Sequence, residues 1–150
     1  MIKRRFEVVD LNQNTFKLIH SELIQQVQCV EFDLKRIYAA MCHGDFDDNF
    51  HSLDNANLGK IVRELKRLDH SGGCPELTEM DYKTIDEIRT IRNYWCHQCY
   101  LDFVYIQNDC EREHAFQRIA ERLHYDELRT YDLMQKTESI YTYIMNKYRQ

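Results

Sequence analysis

"FKLIHSELIQQVQCVEFDLKRIYAAM" (residues 16–41) decides the fold class. Phe16, Ile19, Leu23, Val27, Val30, Leu34, Ile37 and Met41 recur at spacings of three and four, with Glu, Gln, Lys and Arg between them. That period is one apolar stripe along a helix of about seven turns. Asn14 is the expected N-cap, and Gly44 the expected stop. A stripe this long needs other helices to cover it, so the neighbouring sequence should supply them.

It does. Glycine (4) and proline (1) are scarce, and Leu, Ile, Glu, Lys, Arg and Gln are plentiful, a composition that favours helix throughout. "DFDDNFHSLDNAN" (45–57) reads as a polar loop or short irregular segment. A second helix begins at about Leu58, with Leu58, Ile61, Val62, Leu65 and Leu68 on one face. "HSGGCPE" (70–76) ends it with two glycines and the single proline. Thr78 and Asp81 predict a capped start for a third helix, with Leu77 placed to staple it. That helix is expected to bury Tyr82, Ile85, Ile88, Ile91 and Trp95, and then Leu101 and Val104, before ending near Asn108 and Asp109. A fourth carries Phe116, Ile119, Ala120 and Leu123. A break near Tyr125 and Asp126 then precedes a last helix through Leu128, Tyr131, Tyr141, Ile144 and Tyr148. The expectation is an all-α, up-and-down bundle of four or five helices forming one domain over 1–150.

The 43% hydrophobic and 30% charged content is ordinary for a soluble domain. A net charge of −5 argues against indiscriminate nucleic-acid binding but leaves room for a local basic site, such as Lys3, Arg4 and Arg5 or Arg63, Lys66 and Arg67. No run of about 18 apolar residues is present to span a membrane, and no export signal is evident. A helical core of this size does not need disulfides, so the six cysteines are read as reduced thiols and the protein as cytoplasmic.

The chemistry concentrates in "EIRTIRNYWCHQCYLDF" (87–103), where Arg92, Asn93, Cys96, His97 and Cys99 interrupt an amphipathic helix. The simplest reading is a wet helix face. Cys96, Cys99, Cys110 and His114 also form a C-x2-C…C-x3-H pattern reminiscent of a zinc set. Continuous helical periodicity through the CxxC, where a structural site wants a tight turn, counts against metal. A cysteine nucleophile is weaker still, because sequence neighbours on a helix diverge around its axis. Asn93 and His97, four apart, share one face. Arg92 lies about 140° from His97 around the axis, with a side chain long enough to bend toward it. A fixed cation, an amide and an imidazole suit a phosphate and a proton transfer. No cofactor is expected.

"RNYWCH" (92–97) resembles the R-x4-6-H motif of HEPN domains, including the frequent asparagine after the arginine, and its setting in a long helix after "LGKIVRELKRL" (58–68) and a loop is similar to that family. The resemblance implies a metal-independent endoribonuclease that cleaves RNA through the 2′-hydroxyl, with Arg92 and His97 catalytic and Asn93 orienting the site. A homodimer would supply a second Arg–His pair, because one imidazole does not readily act as acid and base together. An upstream acid is common in the family, and Asp86 or Glu87 can fill that place. Many members belong to toxin–antitoxin or phage-defence systems, which implies an antitoxin or a nucleotidyltransferase as a possible partner. The tyrosine such an enzyme modifies stands two residues after the histidine; here that position is Cys99, and Tyr100 follows it. Members that have lost activity serve as helical dimerisation or binding modules, the alternative function, with a zinc-stabilised helical domain a third. Ten tyrosines is a high count, and Tyr125, Tyr131, Tyr141, Tyr143 and Tyr148 crowd the C-terminal end; Tyr131, Tyr141 and Tyr148 are read as rim residues of the last helix with wet hydroxyls. A base-stacking or docking surface is the functional alternative.

Overall fold

The structure, a computed structural model, describes residues 12–149; the basic cluster at Lys3, Arg4 and Arg5 lies outside them. Five α-helices account for most of the described chain: α1 (Gln13–Met41), α2 (Phe46–His51), α3 (Leu58–Ser71), α4 (Glu79–His97) and α5 (Asp109–Tyr148). A 3₁₀ turn (Cys99–Asp102) follows α4, and no strand occurs among the described residues. No helix there is long and apolar enough to cross a membrane.

The long stripe of α1 is buried as its period requires, with Phe16, Leu23, Val27, Val30, Leu34, Ile37 and Met41 all in the core. Its cap is Asn12, two residues before the expected Asn14. The Asn12 side chain accepts the amide of Thr15 at 2.8 Å, and Asn14 becomes an exposed first-turn residue. Gly44, with φ +100°, takes a left-handed conformation just past the helix end, where a side chain would strain the backbone. The polar segment that follows folds into the six-residue α2, too short for a periodic signal. Asp45 caps it through the amide of Asp48 at 3.0 Å, and Phe50 meets Phe32 of α1 edge-on at 5.5 Å.

The glycine-rich loop after α3 is drawn together by one carboxylate. Buried Asp69 accepts the amides of Glu76 (2.7 Å) and Leu77 (3.2 Å) and the hydroxyl of Tyr82 (2.7 Å). Thr78 and Asp81 then form a reciprocal capping box, at 3.1 and 2.8 Å. Buried Leu77 occupies the staple position.

The expected break near Tyr125 and Asp126 does not occur: α5 runs unbroken for 40 residues, about 60 Å at 1.5 Å per residue. The polar pair that interrupts its apolar period faces inward. Asp126 accepts the Trp95 indole N–H at 2.8 Å, and Glu127 accepts the Gln26 amide at 2.9 Å. Further along, Thr137 donates to Asp33 at 3.1 Å, while Arg36 pairs with Asp33 and lies 3.7 Å from the centre of the Tyr141 ring. The Asp126 bond ties α5 to α4, while those of Glu127 and Thr137 lie along the contact between α1 and α5, the most extensive in the fold. Tyr131 and Tyr148 are exposed, as rim residues should be, but the Tyr148 hydroxyl donates to Glu76 at 3.1 Å, and Tyr141 is half-buried against the core beneath Arg36.

Arg149 closes the other end of the fold. Its guanidinium donates to the carbonyls of Ala39 (2.8 Å), Ala40 (3.0 Å), Cys42 (2.6 Å) and Gly44 (2.7 Å), capping the C-terminus of α1. A cation there also meets the negative end of the helix dipole. Replacing Arg149 with Ala should cost about 2 kcal/mol, read as a lower urea midpoint with unchanged slope.

Candidate functional site

Arg92, Asn93 and His97 occupy the last two turns of α4, and His97 is its final residue. The expected continuation toward Asn108 is therefore corrected: the motif sits at a helix end. At that end the helix meets α1. The ring Nε2 of His20 lies 2.7 Å from the carbonyl of Trp95. A carbonyl can only accept, so Nε2 carries the proton. The thiol of Cys99 approaches the same carbonyl at 3.4 Å. Gln98 still donates its amide to Tyr94 O at 2.9 Å, but its backbone (φ −125°, ψ −32°) has left the helix.

The 3₁₀ turn then shifts the phase of the chain. Leu101 and Val104, expected on the buried side, are 53% and 50% exposed, while Cys99 and Phe103 take the buried places at 1% and 4%. Gln98 and Tyr94 both donate to the carboxylate of Asp102, at 2.9 and 2.8 Å. These bonds hold the Asp102 carboxyl below its ordinary range. Burial together with that acceptor pushes the Tyr94 hydroxyl up to about 12.

Within the motif, Arg92 Nη1 donates to Glu31 of α1 at 2.7 Å, in a pair about one-quarter exposed on each side. Its other terminal nitrogen stands 3.5 Å from Asn93 Oδ1, the outer edge of hydrogen bonding. Asn93 and His97 are exposed, and His97 has neither hydrogen bond nor ion pair among the described residues. The acid that pairs with Arg92 is Glu31. Glu87 pairs with Arg129 of α5, and exposed Asp86 stands 4.0 Å from Arg89 on its own helix. Tyr100 is half-buried, its ring 5.8 Å from Phe16 and 5.5 Å from His20, and burial raises its hydroxyl pKa. It belongs to a ring cluster with these two rather than standing free in solvent.

Glu31 and His20 carried no sequence signal. They lie 61 and 75 residues from their partners, inside a stripe whose reading is satisfied by its apolar members alone.

The zinc pattern does not assemble. Cys99 is buried beside His20 and Trp95, Cys96 and Cys110 are exposed, and no group of three or more His, Cys, Asp or Glu suited to a metal exists among the described residues. Burial pushes the Cys99 thiol up to about 11, away from the thiolate that both metal binding and nucleophilic attack require.

No family model, curated protein or solved structure matches this chain. Its functional reading therefore rests on the site itself.

Alkylation of the native protein with iodoacetamide should label Cys74, Cys96 and Cys110 and spare Cys99 until denaturant is added. Peptide mass spectrometry resolves the four sites. Rapid native labelling of Cys99 would mean that the end of α4 is not closed as described.

Proposed function

We propose that the chain is a metal-independent endoribonuclease of the HEPN type, acting as a homodimer through Arg92, Asn93 and His97. One observation carries the reading: a guanidinium steadied by Glu31 and an uncommitted, exposed imidazole stand on the last two turns of one helix. Arg92 uses one N–H on Glu31, and a guanidinium has five. Apart from the long contact to Asn93, the others are available for a non-bridging phosphate oxygen, where they would offset charge that grows in the transition state.

In the proposed reaction one imidazole takes the proton of a ribose 2′-hydroxyl. The 2′-oxygen forms a bond to phosphorus, and the bond from phosphorus to the 5′-oxygen breaks. An imidazole from the second copy gives its proton to that leaving oxygen. The products are a 2′,3′-cyclic phosphate and a 5′-hydroxyl. The HEPN-like, up-and-down arrangement of the helices is part of this proposal, as are a cytoplasmic setting and an antitoxin or nucleotidyltransferase partner.

A second reading has an observation of its own. The Arg92–Glu31 pair also links α4 to α1, so the arginine can serve structure alone in a silent dimerisation or binding module. Cleavage assays separate the two. In EDTA, the protein should cut a mixed RNA pool and leave cyclic ends. Arg92→Ala and His97→Ala, with helical circular dichroism unchanged, should each lose at least about 100-fold in rate. Full activity in either folded variant would refute the assignment of that residue, and cleavage abolished by EDTA in the parent would refute the metal-free chemistry.

A further inference from the structure

A cavity of about 370 Å³ lies where the start of α1, the segment after α4 and the start of α5 meet. Its floor is aromatic: Phe16, Phe103 and Phe116 pack with ring centres 5.3–6.0 Å apart and are almost wholly buried. Half-buried Tyr100 and half-exposed Val104 also line it, and its mouth is open to solvent.

The rim is cationic. Arg112 is fixed there by Asp109 Oδ1 (2.6 Å) and the carbonyl of Ile106 (3.0 Å), so its charge is largely balanced. Lys17 is exposed and has no ion-pair partner among the described residues. The first turn of α1 contains no acidic residue, leaving the positive end of its dipole without an internal counter-charge. A cavity lined by rings and by the polar side chains of Gln13, Lys17 and Arg112, with one uncommitted cation at its mouth, is complementary to a ring that carries polar groups and a negative charge. Its volume lies near the lower end of the roughly 300–1,000 Å³ found for ligand pockets, enough for one or two fused rings.

We infer that this cavity binds a small aromatic anion, with its ring against Tyr100 and Val104 and its anionic group at Lys17. Aromatic carboxylates and nucleoside monophosphates share that chemistry. The inference stands apart from the ribonuclease reading, since none of the lining residues belongs to the Arg92–His97 set.

The test is calorimetric titration of the full chain with indole-3-acetate and with adenosine monophosphate, beside acetate, phosphate, indole and adenosine. At least one ring-bearing anion should bind with Kd below about 1 mM, and its bare anion and bare ring at least about tenfold more weakly. The arm that binds identifies the source of the anion. Lys17→Glu should weaken the binding about tenfold, and Val104→Trp, which fills the mouth, should abolish it. Both positions are solvent-facing, and circular dichroism verifies their folding; Lys17→Gln serves if Lys17→Glu is unstable. The double variant Arg92→Ala, His97→Ala should bind as the parent does, so loss of cleavage and loss of binding are read separately. The inference is overturned if neither aromatic anion binds, if a bare anion binds as tightly, or if binding persists unchanged in both cavity variants.

Discussion

Trp95 is the residue through which three helices are fixed to one another. Its side chain is 1% exposed, and its indole N–H donates to Asp126 of α5. Its carbonyl accepts from His20 of α1. Neither polar link is expendable inside a packed core, because a buried donor or acceptor without a partner costs about 1–3 kcal/mol. The indole bond places Asp126 of α5 in the core where the apolar pattern of that helix is interrupted, and the carbonyl bond lies in the last turn of α4. Arg122 reinforces the junction, lying 3.8 Å from the centre of the Tyr94 ring and 3.7 Å from Asp126.

The candidate site follows from where that junction ends the helix. With α4 stopped at His97, the imidazole stands at a helix terminus instead of along a continuous side. The 3₁₀ turn then directs Cys99 and Phe103 inward and Leu101 and Val104 outward. The same turn brings Tyr100 to the wall of the aromatic cavity. Glu31 holds Arg92 against α1. Two residues of α1, Glu31 and His20, therefore meet α4 at the start of the six-residue motif and near its end.

Where a structural signal is local and periodic, the chain could be read directly. The stripe of α1, the apolar face of α3 and the Thr78–Asp81 box each lie within one segment and depend on spacings of three or four. The misreadings share a different cause. A break is read near Tyr125 and Asp126, where polar residues interrupt the apolar period; the polar groups of Trp95 and Gln26 make Asp126 and Glu127 core residues instead. Leu101 and Val104 were expected inside because a 3.6-residue period was carried past the point where the helix stops. The six residues of α2 span less than two turns, too few for any period to emerge.

The sequence by itself determined that the chain is helical, where most helices begin, and that Arg92, Asn93 and His97 fall within one short segment. Those properties depend on torsional preference, apolar periodicity and caps, which act over a few residues. Only the tertiary structure decided where α4 ends, that α5 does not break, and that Glu31 is the acid beside Arg92. Each of these goes with a hydrogen bond or ion pair between residues 31 to 75 positions apart, and such pairings exist only once the helices have packed.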